Sequence, residues 1–192
     1  TSPTVSSVAI TSATGEQNST LNAGDVVSVT VSMSEAVTVT GTPQVGLNVG
    51  GTTVQASYDA ASSTSTSLVF KYTIQGGQTD GNGISIAANS LGLNGGTIAD
   101  AAGNAATLAH AAVADNAGYL VDTTSPTVSS VAITSATGAQ NSTLNAGDVV
   151  SVTVTMSEAV TVTGSPQLAL NIGGTTVQAA YASGSGTTAL VF

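Results

Sequence analysis

The sequence predicts an all-β antiparallel sandwich, and three observations carry that expectation. Apolar and polar residues alternate in short β-branched runs, turn signals rich in Gly and Asn separate those runs, and the whole pattern starts again in the second half of the chain. Successive side chains of a strand point to opposite faces, so alternation of this kind marks a segment with one buried and one wet face. Short strands at such spacing, with no long helical stretch between them, favour two packed antiparallel sheets.

The first predicted strand is Val5 to Ile10. In VVSVTVSM, Val26 to Met33, the residues Val27, Val29, Val31 and Met33 fall on one face and Ser28, Thr30 and Ser32 on the other. Further alternations follow at Val37 and Val39, at Val45, Leu47 and Val49, at Val54, Ala56 and Tyr58, and at Leu68, Phe70, Tyr72 and Ile74, where Lys71 and Thr73 face outward. Turn signals lie between them: NAGD at Asn22 to Asp25, TGTP at Thr40 to Pro43, Gly50-Gly51, DGNG at Asp80 to Gly83 and NGG at Asn94 to Gly96. Ala99 to Gly118 is rich in Ala, but Gly103 and its flanking glycines interrupt it, so a loop with irregular strand is expected there rather than a helix. TTSP, Thr123 to Pro126, is the candidate linker, because Pro126 fixes its own φ and biases Ser125 to extended geometry.

Thr1 to Tyr58 align without a gap with Thr124 to Tyr181. Seven positions differ: Glu16/Ala139, Ser32/Thr155, Thr42/Ser165, Val45/Leu168, Gly46/Ala169, Val49/Ile172 and Ser57/Ala180. All but the first keep the class of side chain. The expected organisation is therefore one complete unit, 1–123, and an incomplete second copy, 124–192, a tandem repeat of domain-sized period. Lacking counterparts of Tyr72 to Val121, the second copy is expected to expose an apolar face formed by Val150, Val152, Val154 and Met156. It would then be disordered or swapped, with self-association through that face, or else be a folding unit whose true boundary is not at Thr124.

Ten acidic residues stand against one basic residue, giving a net charge of −9. A nucleic-acid partner needs Lys and Arg to neutralise phosphate, so it is excluded as an expectation, whereas cations are favoured. Only 6% of residues are charged, and the polar faces are built from Thr, Ser, Asn, Gln and Gly, a composition closer to an extracellular polymer than to an enzyme. The absence of Cys removes disulfides, thiol nucleophiles and thiolate metal sites. Nowhere does an apolar run reach the roughly 18 residues of a membrane helix, so no membrane insertion is expected. No basic stretch followed by an apolar run opens the sequence, and any export signal is expected outside these residues.

VDTTSPTVSSV at the junction, LNAGDVVSVTVSMSEAVTVTG and LNGGTIADAAGNAATL together resemble the immunoglobulin-like extender repeats of very large bacterial surface adhesins, the Bap-like and RTX-adhesin group exported by type I secretion. The resemblance covers nearly the whole chain. It implies an immunoglobulin-like sandwich in a long tandem array at the bacterial cell surface, where spacers hold a ligand-binding tip away from the cell in adhesion and biofilm formation. It also implies neighbouring repeats as partners and calcium at the joints. The chain departs from full-length members in lacking GGxGxDxUx nonapeptides, a retention module and a sugar- or peptide-binding insertion.

Enzymatic chemistry has little to work with. The only His is His110, in LAHAA, the only other basic side chain is Lys71, and no GxSxG elbow is present. His110 is read as a surface or strand-end residue without a partner, so His110→Ala is expected to leave stability unchanged. The carboxylates offer more, because hard cations take oxygen ligands. An up-and-down trace of the strands puts Glu35 at the N-terminal pole, brings Asp80 and Asn82 back to it with Asp100, and leaves Asp122 at the far pole, ahead of the second copy's Glu158. These six residues are the candidate calcium ligands. The alternative is that Asp100 and Asp122 cap turns, Glu35 is solvated and no ion is held. A carbohydrate- or ligand-binding sandwich is the competing function, but such modules stack sugars on exposed aromatics, whereas this chain has no Trp and places Tyr58, Phe70 and Tyr72 on predicted core faces. NST at Asn18 and Asn141 matches a glycosylation sequon and reads more simply as a polar loop.

Overall fold

The structure, a computed structural model, describes residues Thr1–Phe192. It is all-β, with sheets packed as a sandwich, antiparallel except where Leu120–Val121 pairs in parallel with Thr20–Leu21, and with no α-helix. The single helical turn is a 3₁₀ segment, Ala60–Ser62, capped by the Asp59 side chain, which accepts from the Ala61 amide. The chain divides into two compact units, Thr1–Thr124 and Ser125–Phe192.

The first unit contains β1 (Val5–Thr14), β2 (Thr20–Leu21), β3 (Val26–Met33), β4 (Thr38–Thr40), β5 (Gln44–Val49), β6 (Thr52–Tyr58), β7 (Ser67–Thr73), β8 (Thr79–Asp80), β9 (Leu91–Gly92), β10 (Thr97–Ala99) and β11 (Leu120–Asp122). One sheet runs β1-β3-β7-β6-β5-β9, and smaller sheets are formed by β4 with β10 and by β2-β11-β8. Predicted strand positions agree closely, since β3 spans the VVSVTVSM alternation and is buried at every second residue. The Ala-rich stretch after β10 is irregular, as expected from its glycines, and joins the fold through isolated bridges such as Ile86 with Val113.

β1 is longer than the alternation suggested. Its register against β3 shifts between Val5 and Ser7 and again between Ile10 and Ser12. A bulge at Thr11 breaks the period of two, so Ser12 to Thr14 do not read as strand although they stay paired. The Asn18-Ser19 loop is a hairpin turn in which Gln17 and Thr20 exchange both backbone hydrogen bonds, with positive φ at the two central residues.

The core of the first unit is one cluster. It joins Ile10, Leu21, Val27, Val29, Val31, Val45, Leu47, Val49, Leu68 and Phe70 from the early strands to Ile74, Ile84, Ile86, Leu91, Ile98 and Val121 from the later segment. Apolar burial of this kind stabilises by roughly 25 cal/mol per Å², and here it depends on both halves of the unit being present.

The second unit contains β12 (Val128–Thr137), β13 (Val149–Val160), β14 (Gln167–Ile172), β15 (Thr175–Ala180) and β16 (Thr187–Val191). Its sheets are β12-β13-β16 and the hairpin β14-β15. Registers repeat those of the first unit: β12 on β13 has its shifts at the equivalent positions, and Val154 faces Leu190 as Val31 faces Leu68. Tyr181 stands edge-on to Phe192 at 5.8 Å, as Tyr58 does to Phe70 at 5.8 Å. The correspondence therefore continues to Phe192.

Two expectations for this unit are corrected. It forms five paired strands rather than a disordered stretch, and its exposed apolar residues are not the predicted set. Val152 and Val154 are buried, Val150 and Met156 half-buried, whereas Val128, Val131, Ile133, Leu144, Val149, Ile172 and Val177 are exposed. The reason is that β16 supplies Leu190 and Phe192 opposite Val154 and Val152. Residues 125–192 thus correspond to the first unit as far as Phe70, and the later segment of that unit lies beyond the stretch the two share.

Candidate functional site

Strand direction defines two poles in the first unit. At the first, the chain enters beside the end of β3: the Ser34 amide donates to the Thr4 carbonyl at 2.9 Å and the Thr4 amide to Ser34 Oγ at 2.9 Å. Thr107 joins them, its amide donating to the Pro3 carbonyl at 2.8 Å. Glu35 lies here, half-buried, accepting a long 3.4 Å contact from Thr1 Oγ1. Asp100 follows Ala99, which pairs with Thr38.

Asp80 and Asn82 are not at this pole, contrary to the sequence trace. β7 pairs directly and antiparallel with β3, so it runs away from Glu35 and ends with Thr73 opposite Val26. The far pole therefore receives Asp80, whose strand partner is Val121, together with Asp122, opposite Thr79.

Asp80 is 3% exposed. Its Oδ2 accepts from the Gly50 amide at 2.8 Å, and its Oδ1 from the amides of Gly83 at 2.9 Å and Asn82 at 3.3 Å. The carboxylate thus ties the β5–β6 turn to the DGNG loop. Both glycines are required by that approach. Gly50 has φ +56 and a Cβ there would lie 2.0 Å from the Thr79 carbonyl oxygen, while Gly83 has φ +98 and its Cβ would lie 2.0 Å from the Asn116 carbonyl oxygen. The Asn82 side chain donates to Asp115 rather than presenting its oxygen to that group.

Asp100 and Asp122 cap turns. Asp100 accepts from the amides of Ala102 at 2.9 Å and Asn104 at 2.8 Å and from Asn104 Nδ2 at 2.7 Å. The Asn104 side chain, then its amide, hold the Asp100 carboxyl below its ordinary value of 3.8. Asp59 is likewise held low, first by Lys71, with which it forms an ion pair, and then by Ser62. A depressed folded-state pKa gives stability that is present above the unfolded value and lost as pH falls through the folded value. Acidification below pH 3.8 should therefore lower the melting temperature of the parent protein, and Asp100→Asn should reduce that loss, as thermal melts at neutral and acid pH would record.

Asp122 engages one oxygen, accepting from the Thr124 amide at 2.9 Å. Glu158 Oε1 is withdrawn from solvent without a hydrogen-bond partner. Within the first unit no three His, Asp or Glu side chains converge.

His110 corrects the sequence reading outright. It is buried, and its Nε2 accepts from the amides of Ser90 at 2.9 Å and Leu91 at 3.3 Å. Nδ1 lies 2.8 Å from the Ala111 carbonyl oxygen, which fixes the neutral tautomer with the proton on Nδ1. Asn89 completes the arrangement, its Oδ1 accepting from the His110 amide at 3.0 Å and its own amide donating to the His110 carbonyl at 3.2 Å. A recess of about 410 Å³ lined by Val5–Val8 and Ala109–Ala112 passes beside the ring, but both ring nitrogens are already engaged.

Two structural residues escaped the sequence reading. Asp80 carried a usable signal, since Asp followed by Gly-Asn-Gly favours a side chain that caps its own loop. His110 carried none, because its partners are backbone amides some 20 residues earlier.

Compared with protein-family models, with curated proteins and with solved structures, the chain gives no match. Fold and poles define its class as an all-β antiparallel sandwich protein whose polar residues mainly cap, staple and join its own loops.

Proposed function

We propose that the chain is a structural spacer, an extender segment of a secreted bacterial surface adhesin serving cell adhesion and biofilm formation. The observation that carries this is the placement of the first unit's ends. The chain enters beside Ser34 at one pole and leaves at the other, where Thr123 Oγ1 donates to the Gln78 carbonyl at 2.9 Å and accepts from the Gly77 amide at 2.8 Å. A unit traversed from pole to pole adds its strand length to the chain, about 26 Å for an eight-residue strand such as β3. The recurrence of registers in the second unit and the motifs that resemble adhesin extenders support the same reading.

The role needs no reaction. Uncharged polar side chains keep a long array soluble, and Pro126 stiffens the connection. No aromatic side chain is exposed, the four Tyr, Phe70 and Phe192 all being buried or half-buried, which favours a spacer over a sugar-stacking module. Small-angle scattering on polypeptides with one, two and three copies of Thr1–Thr123 should show a maximum dimension that grows by a constant increment per copy. Growth that levels off would count against the spacer role.

Calcium belongs to the proposal in a narrowed form. The oxygens of Asp80 and Asp100 are already taken by the unit's own amides, whereas Asp122 has one oxygen uncommitted and Glu158 Oε1 has no partner. Asp122 therefore fits a hard cation better than Asp80 or Asp100. Calcium that binds only the folded chain raises its melting temperature by mass action. Asp122→Ala should diminish both that rise and the calcium taken up in a calorimetric titration. Equal uptake by parent and variant would remove Asp122 from the set.

A further inference from the structure

An asparagine followed by glycine is open to attack by the main chain on its own side chain, because glycine has no Cβ to obstruct the approach. The chain has two such steps, Asn82-Gly83 and Asn94-Gly95. Both asparagines are exposed, so solvent access does not separate them. The amide that follows each one does. Gly83 is buried, and its amide donates to Oδ1 of the buried Asp80 at 2.9 Å. The Asn82 side chain is held as well, Nδ2 donating to Asp115 at 2.5 Å.

Gly95 is exposed with open space where a Cβ would stand, and its amide donates no hydrogen bond. It shares the tip of a turn with Asn94: φ is +46 at Asn94 and +78 at Gly95, and the Gly96 amide closes the turn by donating to the Leu93 carbonyl at 2.8 Å. The Asn94 side chain is tied only through Nδ2, which donates to the Thr42 carbonyl at 3.1 Å and to Thr42 Oγ1 at 3.4 Å. Around that tie two loops meet backbone to backbone. A Cβ on Gly41 would lie 2.8 Å from Gly96 Cα, and one on Gly96 would lie 2.2 Å from the Thr40 carbonyl oxygen.

We propose that Asn94 is a site of spontaneous deamidation in the folded chain and that Asn82 is protected from it. The Gly95 nitrogen gives its proton to water and bonds to Asn94 Cγ; the bond from Cγ to Nδ2 breaks, and that nitrogen leaves as ammonia. Water then opens the cyclic imide at either carbonyl, giving aspartate or, with one more atom in the main chain, isoaspartate. At Gly83 the same attack must first break the bond to Asp80, which slows it by a factor of at least about ten. Both products replace the donor to the Thr42 carbonyl with a carboxylate that repels it. Isoaspartate also lengthens a loop packed closely against Thr40 and Gly41, and so loosens the adjoining pair of β4 and β10.

The test ages the full chain in heavy-oxygen water near neutral pH and follows both sites by peptide mapping and mass spectrometry, with aspartate and isoaspartate counted separately. Because the two steps sit in one molecule, each serves as the other's control and no variant has to fold. Expected is conversion at Asn94 at least about tenfold faster than at Asn82 in the folded chain, with the heavy isotope incorporated, and similar rates at the two sites in concentrated urea, where the bond to Asp80 is gone. Amide exchange at Thr38–Thr40 and Thr97–Ala99 should be faster in the aged chain than in the fresh one. Equal rates in the folded chain, faster conversion at Asn82, or an Asn94 that stays intact while the urea-unfolded chain converts would each overturn the proposal. A difference between the sites that persists in urea would also overturn it, since the fold would then not be its cause.

Discussion

Asp80→Ala is expected to destabilise the first unit by about 3 kcal/mol. Hydrogen bonds to a buried charged group contribute roughly 1.5–3 kcal/mol, and amides left buried without an acceptor add their desolvation cost. Asp80 receives three such amides, from Gly50, Asn82 and Gly83, and solvent does not reach it to replace them. A loss of that size lowers the melting temperature of a domain of this length by roughly 10 °C. Calorimetry would record it, and Asp80→Asn, which keeps one acceptor oxygen, should fall between parent and Ala. A melting temperature within a degree or two of the parent's would show that the loop does not need its staple.

His110→Ala should lower stability by about 2 kcal/mol. The substitution orphans the amides of Ser90 and Leu91 and removes the donor to the Ala111 carbonyl. It also opens a small void in a close-packed interior. Urea denaturation should show a lower midpoint with an unchanged slope, because the surface exposed on unfolding is the same. Amide exchange at Ser90 and Leu91 should quicken most. An unchanged midpoint would restore the solvent-exposed role that the sequence suggested for this residue. The two substitutions act on different loops and share no hydrogen-bond partner, so their effects should add.

Both predictions concern residues for which the sequence pointed elsewhere, and the cause is the same in each. A carboxylate or an imidazole looks chemically available in a sequence, where its backbone partners are invisible. Asp80 was read as a cation ligand by assuming where β7 ends. Its true position follows from one pairing, β7 against β3, which reverses the direction of that strand and carries the DGNG loop to the opposite pole. Asp100 and Asp122 matched the alternative of turn caps, with bonds to Asn104 and Thr124 that span only a few residues. Such local bonds are legible from Asx-turn chemistry, whereas the approach of Gly50 to Asp80 across thirty residues is not.

The sequence by itself determined the all-β class, the positions of the long strands, the turns that separate them and the duplication. These depend on side-chain alternation and on Gly and Asn at positive φ, all local properties of the chain. The same local rules forced Val26–Met33 and Val149–Val160 into matching strands with matching partners. Only the tertiary structure decided which apolar faces are closed. Ile10 and Ile133 sit in the same local sequence, yet one is core and the other is exposed, because burial of Ile10 depends on a second layer some 60 to 110 residues further along the first unit, outside the stretch the two units share. Apolar burial is a property of surfaces brought together, not of the residues that carry them.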